Sequence, residues 1–303
     1  VSAPAVSFEF FPPRSPQAAA QLWATIQALE PLQPRFVSVT YGAGGTTRDQ
    51  TVATVLRIQG TTRLNAAAHL TCVAASRAEV DALLQQYWEA GVRRIVALRG
   101  DPPGGGAYEP HPEGYAGAAE LVAGIRRIGD FDVSVAAYPE VHPAARDAEA
   151  DLDNLKRKLD AGASRAITQY FFDSAVYFRF LDRARQAGIT APIVPGILPV
   201  TNFAQVVRFS RMCGASVPRW LAELFDGLED DHDTRKLVAA MVATEQCRAL
   251  AAGGVDSFHF YTLNRADLIL GICRRLGLKP APAGLKPGLA TEPPPPARDP
   301  TVP

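Results

Sequence analysis

Lysine is scarce in this chain. Only Lys156, Lys158, Lys236, Lys279 and Lys286 occur among 303 residues, and none ends an apolar run. This argues against chemistry built on a lysine Schiff base, including lysine-held pyridoxal phosphate. Cysteine is rare too. Cys72, Cys213, Cys247 and Cys273 lie far apart with no C-x-x-C, so buried free thiols in a reducing cytoplasm are expected. The five histidines are scattered and no His-x-His follows the first apolar run, which argues against a metal-dependent hydrolase, and no metal site is expected. No Ser or Cys has a His partner in local sequence, which leaves nucleophilic catalysis without a candidate. Charge of one sign is also missing: 31 basic residues balance 31 acidic ones, without a cluster of five basic residues. Nucleic acid and anionic membrane surfaces are not expected as partners. No apolar run reaches the roughly 18 residues of a membrane span. The opening residues carry no leader pattern, so a cytoplasmic protein is expected.

What is present is alternation. Strand-like runs fall at Val6–Phe10, Phe36–Thr40, Ala66–Leu70, Arg94–Leu98, Asp132–Ala137, Arg165–Gln169, Ile193–Ile197 and Ser257–Tyr261. Most are apolar on both faces, the pattern of a sheet covered on two sides. Helical spacing marks Ala19–Leu29, Arg48–Ile58, Ala78–Ala90, Tyr115–Ile128, Ala148–Ala161 and Ala175–Ala187. A longer segment, Asn202 to Gly254, carries extra helices including Asp233–Ala252. Gly91, Gly129, Gly162 and Gly188 stand where left-handed helix ends are expected. Eight strands alternating with helices predict an α/β fold, a single (β/α)8 TIM barrel over residues 1–278. A doubly wound open sheet is the competitor, but Pro12-Pro13 stands where its Gly-rich turn would follow the first strand. Nine of the last 24 residues are proline, which cannot build a core, so residues 279–303 are expected to form a disordered tail.

Barrel enzymes place their chemistry at the carboxyl ends of the strands. That rule collects Glu9, Thr40, His69, Arg99, Asp101, Tyr138, Glu140, His142, Gln169, Asn264 and Arg265. Glu9 lies between Phe8 and Phe10, so it points away from both. Burial there would raise its pKa and yield an acid able to hold a proton near neutrality; a salt-bridged, barrel-filling glutamate is the alternative. Arg99-Gly100-Asp101 ends the fourth run, and Gly100 lets backbone approach a flat ligand. Asp151, Asn154 and Lys158 share one helix face, which suits a ribose and a phosphate but is more often solvated.

Taken together, these motifs resemble the methylenetetrahydrofolate reductase family, in its short bacterial form without a regulatory domain. The likeness runs from about Val6 to Leu278. It is carried by Ser7-Phe8-Glu9-Phe10-Phe11-Pro12-Pro13, His69-Leu70-Thr71-Cys72, Ala97-Leu98-Arg99-Gly100-Asp101, Ala137-Tyr138-Pro139-Glu140-Val141-His142, Asn154-Leu155-Lys156-Arg157-Lys158, Thr168-Gln169-Tyr170 and His259-Phe260-Tyr261-Thr262-Leu263-Asn264-Arg265. The resemblance implies an FAD-containing barrel that reduces 5,10-methylenetetrahydrofolate to 5-methyltetrahydrofolate. NADH or NADPH would be the reductant in a ping-pong cycle, and the product would supply methyl groups for methionine synthesis.

It also implies roles. Glu9 would be the general acid, and Asp101 the carboxylate beside flavin and pterin. For FAD it points to Tyr41, Ala43, His69, Arg99, Gly100, Asp101, Ala116, Tyr138, His142, Ala145, Asp151, Asn154, Arg157 and Lys158. For folate and nicotinamide it points to Thr40, Gln169, Gln205, Phe209 and Arg265. A homo-oligomer, dimer or tetramer, is expected. Two other functions fit the outline: a proline dehydrogenase-like flavin barrel, and a silent barrel holding folate or FAD as a sensor.

Overall fold

Side-chain alternation in the first strand, β1 (Ala5–Phe10), sorts the molecule into an inside and an outside. Phe8 and Phe10 are fully buried in the main core, with Leu22 and Ile26 of the first helix, α1 (Pro16–Leu29). Ser7 and Glu9 take the opposite face. The computed structural model describes residues 3–42, 47–102, 104 and 106–281, so most of the proline-rich segment lies outside the described residues.

The alternation continues through β2 (Val37–Val39), α2 (Arg48–Thr61), β3 (Ala66–Thr71), α3 (Arg77–Glu89), β4 (Arg94–Leu98), α4 (Ala118–Ile128), β5 (Asp132–Ala137), α5 (Ala148–Asp160), β6 (Arg165–Thr168) and α6 (Ser174–Gln186). The seventh strand comes in two pieces, β7 (Ile193–Val194) and β8 (Gly196–Ile197). Then follow α7 (Phe203–Cys213), α8 (Arg219–Phe225), α9 (His232–Ala252), β9 (Ser257–Tyr261) and α10 (Ala266–Arg275). All pairings are parallel, in the order β7-β6-β5-β4-β3-β2-β1-β9-β8. Pro195 has no N–H to give, which divides the seventh strand. Its carbonyl accepts from the His259 N–H at 3.0 Å, so β7 stays on β6, β8 joins β9, and the ring closes. The expected (β/α)8 barrel is the observed fold.

Local chemistry explains the helix ends. Ser76 and Glu79 form a reciprocal capping box at α3, and Asp147, Asp173 and Asn202 cap α5, α6 and α7. Such a cap contributes about 1 kcal/mol. Gly91, Gly162 and Gly188 adopt positive φ as expected. Gly129 does not: its φ is −175°, and a side chain there would meet the Trp88 ring at 2.6 Å. It is glycine because an indole is packed on its backbone. Tyr115 stays outside α4, held by its hydroxyl donating to Asp81 at 2.6 Å.

The barrel is filled, not hollow. Phe36, Ala67, Val96 and Ile167 form a lower layer inside it. Below them Asp132 sits between Arg94 and Arg165, whose guanidinium groups lie 5.7 and 5.9 Å from the Phe36 ring centre. That plug leaves the other, carboxyl end of the strands as the open rim.

Candidate active site

Glu9 reaches the top of the barrel interior with 14% of its side chain exposed. Its Oε2 lies 3.3 Å from His259 Nε2, a hydrogen bond, and 3.2 Å from His69 Nε2. His69 is close enough for charge attraction but off the hydrogen-bond axis, and its Nε2 has no other partner among the described residues. Register explains the first contact: β1 and β9 are parallel neighbours with Ser7 opposite His259 and Glu9 opposite Tyr261. Burial alone would push the carboxyl up, but the His69 and His259 imidazoles outweigh it and hold the pKa at about 2. The expectation that burial on an apolar strand raises this pKa is therefore corrected. Phe8 and Phe10 face outward, and the groups that meet the carboxylate are imidazoles.

The cluster is held rigidly. Thr262 Oγ1 donates to the Glu9 carbonyl at 2.7 Å. Asn264 grips the next residue but one, accepting from the Phe11 N–H at 2.9 Å and donating to the Phe11 carbonyl at 3.0 Å. The turn that aims Asn264 there has two left-handed residues, Leu263 at φ 51° and Asn264 at φ 54°. Tyr261 stands edge-on to His259 at 5.5 Å and donates its hydroxyl to the Thr168 carbonyl at 2.7 Å. Burial, then the Glu9 charge, raise its pKa far above the usual phenol value, so it stays neutral. Gly196 makes room for it: a methyl there would lie 2.3 Å from the Thr168 carbonyl oxygen and 2.7 Å from the Tyr261 ring. Gly196→Ala is expected to destabilise the protein by about 1–3 kcal/mol, the usual range for overpacking. Urea denaturation measures this, and an unchanged midpoint would show that the contact relaxes freely.

Beside the cluster, a cavity of about 600 Å³ opens between the ends of β4 and β5 and the inner face of α5. It gathers Arg99, Gly100, Asp101, Ala116, Tyr138, His142, Ala145, Asp151, Asn154, Arg157 and Lys158. Alanines 97, 118, 119, 136, 144 and 150 also line it, leaving low walls suited to a flat ring system. Lys158 is the costly member. Its Nζ donates to the Ala136 carbonyl at 2.5 Å, and the side chain is buried. Burial pulls its pKa down to about 8, against the charge of Asp151. Asp151 is buried as well and accepts from the His142 N–H at 2.9 Å. The face of α5 that normally meets solvent is here turned inward. Burial, then Arg99, lower the His142 pKa, and its ring meets Tyr138 edge-on at 4.5 Å. Tyr261 feels both Glu9 and Tyr138, and Tyr138 feels Asp101, so cluster and cavity share one electrostatic neighbourhood.

The remaining expected residues ring the mouth. Thr40 and Tyr41 follow β2, and His69 belongs to the Glu9 cluster rather than the cavity wall. Gln169 follows β6, its Oε1 accepting from the Tyr170 N–H at 3.0 Å. Exposed Gln205 and Phe209 sit on α7, and Arg265 opens α10 beside a separate hollow with Gln21 and Thr25. Asp101 is 80% exposed and only 4.0 Å from Arg99, too loose a pair to hold it. Ala43 lies outside the described residues. Sequence reasoning missed His259, Tyr261 and half-exposed Phe11. The period-two rule applied to β9, where Phe258 and Phe260 are fully buried, would have turned His259 inward.

A carboxylate–imidazole cluster lies at the rim of a parallel barrel, next to a basic, alanine-walled cavity, the place where (β/α)8 enzymes carry their chemistry. The family model described as methylenetetrahydrofolate reductase matches residues 2–277. The chain belongs to the methylenetetrahydrofolate reductase family. It is 53% identical over 275 residues to the 5,10-methylenetetrahydrofolate reductase of Pectobacterium carotovorum subsp. carotovorum, with 91% of each chain covered. Identity to the Escherichia coli (strain K12) enzyme of that name is also 53%, over 276 residues and 91% of each chain. Methylenetetrahydrofolate reductase (NADH) 1 of Arabidopsis thaliana is 37% identical over 286 residues, covering 90% of this chain and 48% of that one. Among solved structures, an uncharacterized Clostridium thermocellum protein that binds two copies of 5-methyl-5,6,7,8-tetrahydrofolic acid superposes with a TM-score of 0.61. It covers 91% of this chain and 94% of that one at 13% identity, a likeness of fold.

Proposed function

We propose that the chain reduces 5,10-methylenetetrahydrofolate to 5-methyltetrahydrofolate, consuming NADH or NADPH and one proton, with FAD as the resident cofactor. The observation that carries this reading is Glu9, fixed inside the rim between two imidazoles and next to the cavity. The names of the relatives supply the substrate.

The cavity fits a flavin dinucleotide on its own chemistry. Buried Lys158 has three N–H donors and gives one to Ala136, so a diphosphate would take up what the protein leaves unspent. Arg157 adds a second cation at the same wall, and Asn154 offers an amide to a ribose. When bound there, a flavin would accept a hydride from the nicotinamide and return it to the folate in alternate turns.

The chain's own residues do the rest. Glu9 passes the proton that the reaction consumes to N10 of the folate, which opens the five-membered ring and leaves a cation at N5. Asp101, at the cavity lip, stabilises that positive charge. Gln169 orients the pterin by hydrogen bonding. Phe209 packs on whichever substrate is present, and Gln205 and Arg265 hold polar or anionic groups of the folate, as Thr40 does for the nicotinamide nucleotide. The outcome expected from anaerobic spectroscopy is a yellow protein after FAD addition, bleached by NADH and recoloured by methylenetetrahydrofolate. A colourless protein, or a flavin that NADH cannot bleach, would overturn the reading.

A further inference from the structure

Arg99 follows β4 with its charge only loosely claimed. Its Nε–H reaches the Gly100 carbonyl at 3.4 Å, and a terminal nitrogen stops 4.0 Å short of Asp101. Among the described residues no acceptor takes a hydrogen bond from the two terminal nitrogens, so their donors are unspent. What holds the group is an aromatic ring: the guanidinium carbon lies 4.7 Å from the centre of Tyr108. Contact with the ring face engages the charge and leaves the in-plane N–H donors free. Arg99 and Tyr108 both line the cavity, and the charge of Arg99 is felt by His142 and Tyr138, which line it too.

Tyr108 belongs to no helix or strand, yet it is anchored. Its hydroxyl lies 3.7 Å from Cys72 Sγ, and the same thiol donates to the Arg99 carbonyl at 3.4 Å. Cys72 is fully buried just beyond β3, so one sulfur ties residues 99 and 108 to the same point of the scaffold. Burial, then the Cys72 contact, raise the Tyr108 pKa above the usual phenol range, so the hydroxyl keeps its proton to give to sulfur. The Arg99 carbonyl also accepts from the Val73 N–H at 3.0 Å. Gly100, at φ 85°, turns the chain tightly there, and a methyl on it would lie 2.5 Å from the Val73 side chain. The end of β3 thus fixes the Arg99 backbone, and the ring of Tyr108 sets its head group. Without that ring, Asp101 would be the one anion within 4.0 Å among the described residues. A closed Arg99–Asp101 pair would withdraw both charges from the cavity.

We propose that Tyr108 is a positioning residue for the cofactor, its ring holding the Arg99 guanidinium apart from Asp101 with free donors for the acceptor groups of FAD. The inference rests on the proposed FAD site and adds to it a residue that the family resemblance does not imply.

The test titrates flavin-free protein with FAD and takes the Kd from the quenching of flavin fluorescence. Tyr108→Leu is expected to weaken binding by about tenfold, the scale of a partly desolvated contact between a cation and a ring face. Tyr108→Phe keeps that face and loses only the hydroxyl, so it is expected to stay within roughly threefold of wild type. The deciding measurement is a double-mutant cycle. In an Arg99→Met background, Tyr108→Leu should cost less than about twofold, because the group it positions is gone. Thermal melting of the flavin-free variants separates folding from binding, and midpoints close to wild type are expected for a residue outside the helices and strands. Should Tyr108→Leu melt far below wild type, Tyr108→Met takes its place in the same cycle. An unchanged Kd without the ring, or equal losses with and without Arg99, would overturn the role of Tyr108 while leaving the FAD site standing. Wild-type protein that binds no FAD would overturn both.

Discussion

Glu9→Gln is expected to cut the folate half-reaction by about two orders of magnitude or more while leaving flavin reduction by NADH within roughly threefold of wild type. The glutamine has the shape of the acid and can still accept from His259, so the rim should keep its form. What it lacks is a proton to give, and only the folate step needs one. Stopped-flow traces of the two half-reactions separate the effects, and equal damage to both would refute the assignment. The same variant reports on acid stability. The folded pKa of Glu9, about 2, lies below its ordinary 4.5. Ionised Glu9 therefore stabilises the fold fully above pH 4.5, and the contribution fades as pH falls towards 2. Glu9→Gln should lose less stability than wild type across that window.

Lys158→Met is expected to weaken FAD binding by about a hundredfold, the scale of one buried, charge-assisted phosphate contact. It should also raise the thermal midpoint of the flavin-free protein by a few degrees. The gain arises because the ammonium is buried at a penalty. A pKa drawn down from 10.5 to about 8 corresponds to on the order of 3 kcal/mol, part of which is lost again when Asp151 loses its nearby cation. The unfolded chain holds this proton more tightly than the folded one. Wild-type flavin-free protein should therefore gain stability as pH rises from about 8 to 10.5, and the methionine variant should not. In the same range FAD binding to wild type should take up a proton, because a diphosphate favours the charged lysine. Calorimetry in two buffers of different ionisation heat measures that uptake. Unaltered FAD affinity in Lys158→Met would show that the ammonium serves something else.

How much of this was legible beforehand depended on the reach of each interaction. Period-two alternation is local, so it placed Glu9 inward and set the bounds of β4, β5 and β9 exactly where they fall. Pro195 was visible as well, but its effect on the seventh strand depends on which carbonyl its neighbour would have met, a matter of register. Gly129 looks like Gly162 in sequence, and only Trp88, packed from α3, distinguishes their conformations. The surroundings of Glu9 were the least legible. His69 and His259 come from 60 and 250 positions away, and strand order alone makes them neighbours. The inward turn of Asp151 and Lys158 was suggested by the family resemblance; helical spacing by itself favoured a solvated face.

The divided strand has a bearing on how one mouth can serve two guests of unlike shape. At Gly196 the link to β6 runs through the Thr168 side-chain hydroxyl at 2.9 Å instead of a main-chain carbonyl. A ring of strands with a hydroxyl joint in its circumference can widen slightly there without unzipping a ladder. That joint adjoins Tyr261, whose hydroxyl donates to the carbonyl of the same Thr168, so both groups of one threonine tie the divided strand to the rim.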